Sequence, residues 1–229
     1  PGIVVVAVVP EFDALTIATV GLDARVAERR RLPPVREPDE AVEAIGAAVD
    51  ALRARRAPTV VGIGVAVPGL VDAAGRVARA PRLGWVDVDL RTRIAERCGL
   101  PVAVGNDASL GAQAEHRFGA GRGASSMLYL NGGASGIGGG VVLDGRLLTG
   151  ERGFAGEIGH ASTARGELEA AVGRDALLAA LGMRDDATEE ALAEAMAASP
   201  AASGPGEVME AQRTVLARSI ADAVLLVDP

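Results

Sequence analysis

The sequence contains no lysine; all 23 of its basic residues are arginine. Such usage reads as a base-composition bias of the genome and not as a functional choice. There is one cysteine, Cys98, which excludes an internal disulfide and any cysteine-based zinc cluster within these residues. Aromatic residues make up only 2% of the chain, so the core must be aliphatic. No apolar run approaches the ~20 residues of a membrane-spanning helix, and none of these residues reads as a signal peptide. The expected location is therefore the cytoplasm, with no membrane partner. Positive charge is scarce as well: the net charge is −7, and the arginines concentrate only at Arg29-Arg30-Arg31 and from Arg53 to Arg56. Neutralising phosphates needs a concentrated positive face, which argues against nucleic-acid binding by this segment alone. Both arginine runs read as solvated surface.

What is present is the composition of a soluble globular protein: 229 residues, 49% hydrophobic and 23% charged, enough for one large domain or two small ones. Ile3 to Val9 is a continuous β-branched run, the pattern of a buried strand. Ala14 to Val20 and Ala24 to Leu32 read as two more strands. Asp39 to Arg55 places Val42, Ile45, Val49 and Leu52 on one helical face, with Pro38 at its start. A strand follows at Thr59 to Val67, stopped by Pro68-Gly69. Then come a helix at Leu90 to Glu96, a strand at Val102 to Val104 and a helix at Ala108 to Phe118. This order implies a mixed sheet with helices packed on it.

Three glycines in the five residues from Gly119 to Gly123 mark a boundary, dividing the chain into halves 1–119 and 120–229. The pattern then restarts. A strand at Ser126 to Leu130 is followed by a hairpin, Gly136 to Leu143 and Arg146 to Leu148, through the turn Asp144-Gly145. Helices follow at Asp175 to Leu181, Thr188 to Ala198 and Val208 to Val227. Two similar α/β halves suit a protein that closes a cleft around a ligand. The chain starts at Pro1 directly in a strand-like run and stops at Asp228-Pro229 just after an apolar one, so a longer protein, truncated at its C-terminal end, is expected.

Three segments could carry chemistry. Asn106-Asp107 lies at the carboxyl end of a strand and opens a helix, at the edge where ligands gather in open α/β sheets; helix capping explains the same residues as well. Gly132 to Gly140 holds six glycines in nine residues. Such a loop lets backbone N–H groups approach an anion, although it is no P-loop, since no Lys follows; a tight turn with a bulge is the alternative. Gly153 to His160 puts Glu157 and one of two histidines in a glycine-bounded turn. A carboxylate there can accept charge-assisted, directional bonds from sugar hydroxyls.

Five pieces in order resemble the ROK family of repressors, open reading frames and kinases. These are Gly62 to Asp72 (GIGVAVPGLVD), Ala80 to Trp85 (APRLGW), Asn106-Asp107-Ala108, Gly136 to Gly140 and Gly156-Glu157-Ile158-Gly159-His160. The resemblance covers nearly the whole chain. It implies an actin/hexokinase-like (ribonuclease H-like) duplicated α/β fold with a ligand cleft between two halves. It also implies roles. Asn106 and Asp107 would hold the sugar, with Asp107 the general base in the kinases. Glu157 would bind sugar hydroxyls, as would Glu169, which resembles the end of the family's cysteine-rich loop. His160 would reach both sugar and a structural zinc, and Gly136, Gly138 and Gly139 would be the remnant of a phosphate loop.

Two departures from the family matter. The kinases open with Asp-x-Gly-Gly-Thr after the first strand, which cradles ATP phosphates. Here the stretch is Ala7-Val8-Val9-Pro10-Glu11-Phe12-Asp13, with Ala7 in place of the Asp and no glycine from Ile3 to Val20. Bulky side chains, a proline without N–H and Glu11 oppose a triphosphate, so ATP is not expected. The second departure is the zinc loop. Family members carry three cysteines shortly after the His, whereas Ala161 to Gly166 carries none and Glu167 stands where the last would be. Zinc, with His160 as a ligand, is expected only if a cysteine loop lies outside these residues.

Three functions are compatible with these features. One is the sugar-sensing domain of a transcriptional regulator, reaching DNA only through a helix-turn-helix upstream of Pro1. The second is an ATP-dependent sugar kinase with Asp107 as base. The third is a protein–protein module that has lost its ligands. The degraded first-strand motif beside retained Asp107 and Glu157 favours the regulator. By analogy with family members that pair, a homo-oligomer is implied.

Overall fold

A computed structural model describes residues 2–55, 58–133, 136–200 and 204–229. They form two compact units. The first comprises Pro1–Arg122 and Thr149–Ala155, and the second Gly123–Leu148 and Gly156–Pro229.

The first unit is built on a five-stranded mixed sheet. Its strands are β1 (Ile3–Pro10), β2 (Leu15–Gly21), β3 (Val26–Leu32), β4 (Thr59–Val67) and β8 (Val102–Asn106), in the order β3-β2-β1-β4-β8. The first three form an antiparallel meander, while β4 and β8 add in parallel. Alternation along β1 puts Val4, Val6 and Val8 in the core. Helix α1 (Pro38–Ala54) covers that face with Val42, Ile45, Val49 and Leu52, the stripe its periodicity predicts. The helix begins in a capping box, in which Glu37 and Glu40 satisfy each other's backbone N–H groups. Glu28 and the three arginines Arg29 to Arg31 of exposed β3 keep this edge strand charged, which discourages edge-to-edge pairing.

A small antiparallel sheet escapes the periodicity reading: β5 (Leu70–Val71), β6 (Val77–Ala80) and β7 (Trp85–Val88). Its strands are too short and too interrupted by Asp72, Gly75 and Arg79 to show a period. It buries Trp85, 2% exposed, whose indole N–H donates to the Arg36 carbonyl at 3.0 Å. Helix α2 (Leu90–Cys98) adds Leu90, Ile94 and Cys98 to the same core, and α3 (Asp107–Phe118) follows β8 directly.

The second unit opens with the antiparallel sheet β11-β10-β9, formed by β9 (Met127–Gly133), β10 (Gly136–Leu143) and β11 (Arg146–Leu147). Ala134 and Ser135, inside the glycine-rich motif, lie outside the described residues, as does Arg56 of the second arginine run. A two-stranded hairpin follows, β12 (Ser162–Thr163) with β13 (Gly166–Glu167). Four helices complete the unit: α4 (Leu168–Val172), α5 (Arg174–Leu181), α6 (Glu189–Ala198) and α7 (Gly204–Val227). Sequence reading misses α4, which spans only five residues. It also starts α7 at Val208, because Gly204, Pro205 and Gly206 are poor helix formers. Among the described residues, no helix is long and apolar enough to cross a membrane.

Candidate functional site

Strands β4 and β8 run in parallel and end together, with Val67 opposite Asn106. That shared carboxyl edge is where an open α/β sheet presents side chains to a ligand. Asn106 is the N-cap of α3: its Oδ1 accepts the Ser109 N–H at 2.8 Å. Its Nδ2 donates to the Gly69 carbonyl at 3.0 Å and to Asp107 Oδ1 at 3.3 Å. Gly69 must be glycine, because a Cβ there would collide with the Arg79 carbonyl. Asn106 therefore ties the turn after β4 to the start of α3.

Capping thus explains Asn106 but not Asp107, which is already the first residue of the helix. Asp107 Oδ1 accepts the Ala108 N–H at 2.9 Å, and a helix N-terminus favours negative charge. Burial outweighs these effects and pushes the Asp107 carboxyl above the ordinary aspartate range. A carboxylate kept where solvation is poor, at the ligand edge of a sheet, is a functional-site feature.

In the second unit the glycines of β10 seat two other segments. A Cβ on Gly139 would lie 2.8 Å from the Gly156 carbonyl and 2.8 Å from Ile158 Cγ2, and a Cβ on Gly156 (φ +91°) would meet Gly140. Backbone therefore packs on backbone, and the segment carrying Glu157 and His160 lies directly against β10. Gly138 pairs with Asn131 across the β9–β10 ladder. A short 3₁₀ turn, Ile158–His160, follows Glu157. His160 Nδ1 is 3.0 Å from Glu167 Oε2. The hydrogen bond to Glu167, then the charges of Glu167, Glu157 and Glu169, hold the imidazole above the usual histidine range. Glu157, His160, Glu167 and Glu169 are thus one electrostatic cluster, of which sequence reading anticipates all but the pairing of Glu167. Glu169, on α4, accepts the Ile137 N–H with Oε2 at 3.0 Å.

Cys98 is buried in the core of the first unit. Among the described residues no group of three or more His, Cys, Asp or Glu is placed to hold a metal ion. Where the family resemblance implies a cysteine loop, the chain makes the β12–β13 hairpin. Thr163 Oγ1 closes it, donating to the Gly166 carbonyl at 2.7 Å and accepting the Arg165 N–H at 3.1 Å.

The β1–β2 turn is the other informative region. The Glu11 N–H donates to the Ala14 carbonyl at 2.7 Å, and the Thr16 hydroxyl donates to Glu11 Oε2 at 2.9 Å. Asp13 pairs with Arg31, and the Arg36 guanidinium lies over the Phe12 ring, 5.4 Å from its centroid.

A mixed five-stranded sheet with a 3-2-1-4-8 order, followed by a second α/β unit, places the chain in the actin/hexokinase-like class. The ROK family model matches residues 12–229, and the chain belongs to the ROK family. Over 102 residues it is 41% identical to the xylose repressor of Caldicellulosiruptor bescii, a match covering 44% of this chain and 25% of that protein. The matched stretch is thus about a quarter of that relative's length. The glucokinase of Streptomyces griseus, solved with glucose and AMPPNP, superposes with a TM-score of 0.76 at 26% identity, over 99% of this chain and 80% of that one. A ROK family transcriptional regulator, a homolog of the E. coli MLC protein, superposes with a TM-score of 0.83 over 100% of this chain and 64% of that one; at 24% identity it shows the fold alone.

Proposed function

We propose that this chain is the sugar-sensing effector part of a ROK-type transcriptional regulator. In this reading it binds a sugar through Asn106, Asp107, Glu157, His160 and Glu169 without phosphorylating it. The observation that carries the reading is the β1–β2 turn. Phosphoryl transfer is mostly positioning and charge stabilisation of the transferred group. A phosphate cradle needs free backbone N–H groups and glycine. Here the turn begins at Pro10, which has no N–H; the Glu11 N–H is spent on Ala14, and its carboxylate is held by Thr16. A fixed negative charge and bulky side chains stand where a triphosphate would need donors.

Sugar occupancy then acts by population shift, through higher affinity for one conformation. DNA would be reached through a helix-turn-helix upstream of Pro1, and the regulator would work as a homo-oligomer. The similarity to xylose repressors makes a pentose such as D-xylose the first ligand to test.

A second reading, an ATP-dependent sugar kinase, is favoured by one feature. Asp107 is a buried carboxyl with a raised proton affinity, as suits a general base accepting a hydroxyl proton. A coupled assay with ATP, magnesium and a panel of hexoses and pentoses separates the two. The expected result is sugar-dependent thermal stabilisation with no turnover. Turnover in the ordinary kinase range of ~1–100 per second on any sugar restores the kinase.

A further inference from the structure

The start of β10, beyond the reach of β11, contains a bond that neither sheet pairing nor the ligand roles above account for. Ile137 faces Gly132 in the β9–β10 ladder, yet its N–H goes to Glu169 Oε2 at 3.0 Å, not to β9. An edge N–H needs a partner, and here a carboxylate from a helix distant in sequence supplies it. The surrounding backbone is shaped for that carboxylate. Gly136 (φ +120°) lies so close that a Cβ would overlap both oxygens of Glu169, and a Cβ on Gly159 would run into the Ile137 carbonyl and lie 3.4 Å from Glu169 Oε2. Gly173 packs on the backbone of Glu169 and donates its N–H to the Glu169 carbonyl at 2.7 Å. Glycines from two separate segments, Gly136 and Gly159, therefore leave room for one carboxylate, while Gly173 ends the helix that carries it.

We infer that Glu169 is a positioning residue that couples ligand occupancy beside Glu157 and His160 to the start of β10, at Gly136 and Ile137. The coupling rests on the sugar reading above; the tether itself does not. A carboxylate has about four acceptor sites on its two oxygens, so Glu169 can hold the Ile137 N–H and accept a ligand hydroxyl together. A hydroxyl bound to the carboxylate restricts its rotation and so stiffens the amide it holds. Glu169 thereby links the ligand to the first residues of β10, which need not touch the ligand at all.

Amide hydrogen exchange on the full chain tests this, for wild type, Glu169→Gln, Glu169→Ala and Gly136→Ala, with and without D-xylose or D-glucose as probes. Without sugar, the Ile137 amide is expected to exchange about tenfold faster in Glu169→Ala, the loss of roughly one hydrogen bond to a charged group. Glu169→Gln, whose amide oxygen still accepts, should stay near wild type. With each protein titrated to saturation, since Glu169→Ala itself removes a sugar contact, wild type should gain protection in both 132–140 and 156–161, and Glu169→Ala in 156–161 alone. Gly136→Ala, which displaces the carboxylate while leaving Glu169 in place, should behave like Glu169→Ala and serves if that variant does not fold. Equal Ile137 exchange in wild type and in both the Glu169→Ala and Gly136→Ala variants overturns the tether. Sugar-dependent protection of 132–140 that survives Glu169→Ala overturns the coupling. If neither sugar protects any segment of wild type, the sugar reading fails and the coupling with it, while the sugar-free rates still decide the tether.

Discussion

The Thr16 hydroxyl donates to Glu11 Oε2 at 2.9 Å, and Thr16 is only 6% exposed. This bond folds an acidic side chain back onto the β1–β2 turn. Thr16→Val keeps the shape and burial of the side chain and removes the donor. It should cost about 1 kcal/mol, the net value of one such bond, read as a lower denaturation midpoint with unchanged slope. An unchanged midpoint means that the bond does not hold the turn.

Asp107 should make the protein less stable as pH rises. Its folded pKa is raised by burial above the unfolded value, so the folded state holds the proton more tightly. The stability gained from this is fully present below the unfolded value of about 3.9 and is lost as pH rises through the folded pKa. Asp107→Asn keeps an acceptor for the Ala108 N–H but removes the buried charge. It should raise the neutral-pH melting temperature by a few degrees, the effect of about 1 kcal/mol, and weaken sugar binding. A lower melting temperature means that the carboxylate stabilises the fold.

Glu157→Ala should remove charge-assisted bonds to sugar hydroxyls worth ~1.5–3 kcal/mol each, roughly a tenfold to hundredfold loss of affinity. Titration calorimetry with D-xylose or D-glucose measures it. Unchanged affinity for a sugar that binds wild type removes Glu157 from the site.

The His160–Glu167 pair should give a small signal of the same sign at higher pH. The imidazole's folded pKa is raised, chiefly by Glu167. Its contribution is fully present below the unfolded value of about 6.5 and fades as pH rises through the folded pKa. Both side chains are 58% exposed, so screening limits the pair to ~0.2–1 kcal/mol. Glu167→Gln should flatten stability against pH above about 6 and remove its salt dependence; an unaltered profile means that the pair contributes nothing.

Gly139→Ala should destabilise the second unit by ~1–3 kcal/mol, the cost of overpacking, because its Cβ would lie 2.8 Å from both the Gly156 carbonyl and Ile158. Full wild-type stability means that the segment carrying Glu157 does not rest on β10 as described.

Local signals were legible along the chain. The β-branched run of β1, the apolar stripe of α1 and the cap at Asn106 all depend on residues within a few positions of one another, which is the range over which periodicity and capping act. The family resemblance picked out Glu157, His160 and Glu169 for the same reason, since each stands in a short motif. The three strands from Leu70 to Val88 and the five residues of α4 left no such trace, because each repeats its pattern too few times to stand out.

What only the tertiary structure decided involves partners far apart in sequence. Asp107 is a poorly solvated carboxyl and not a second cap because of what buries it, not because of its neighbours in the chain. The glycines of β10 look like an anion loop in sequence. In the fold Gly139 makes room for the segment that carries Glu157, and Gly136 makes room for the carboxylate of Glu169, 33 positions further on. A glycine's missing side chain records that something comes close, but only the folded chain shows what does.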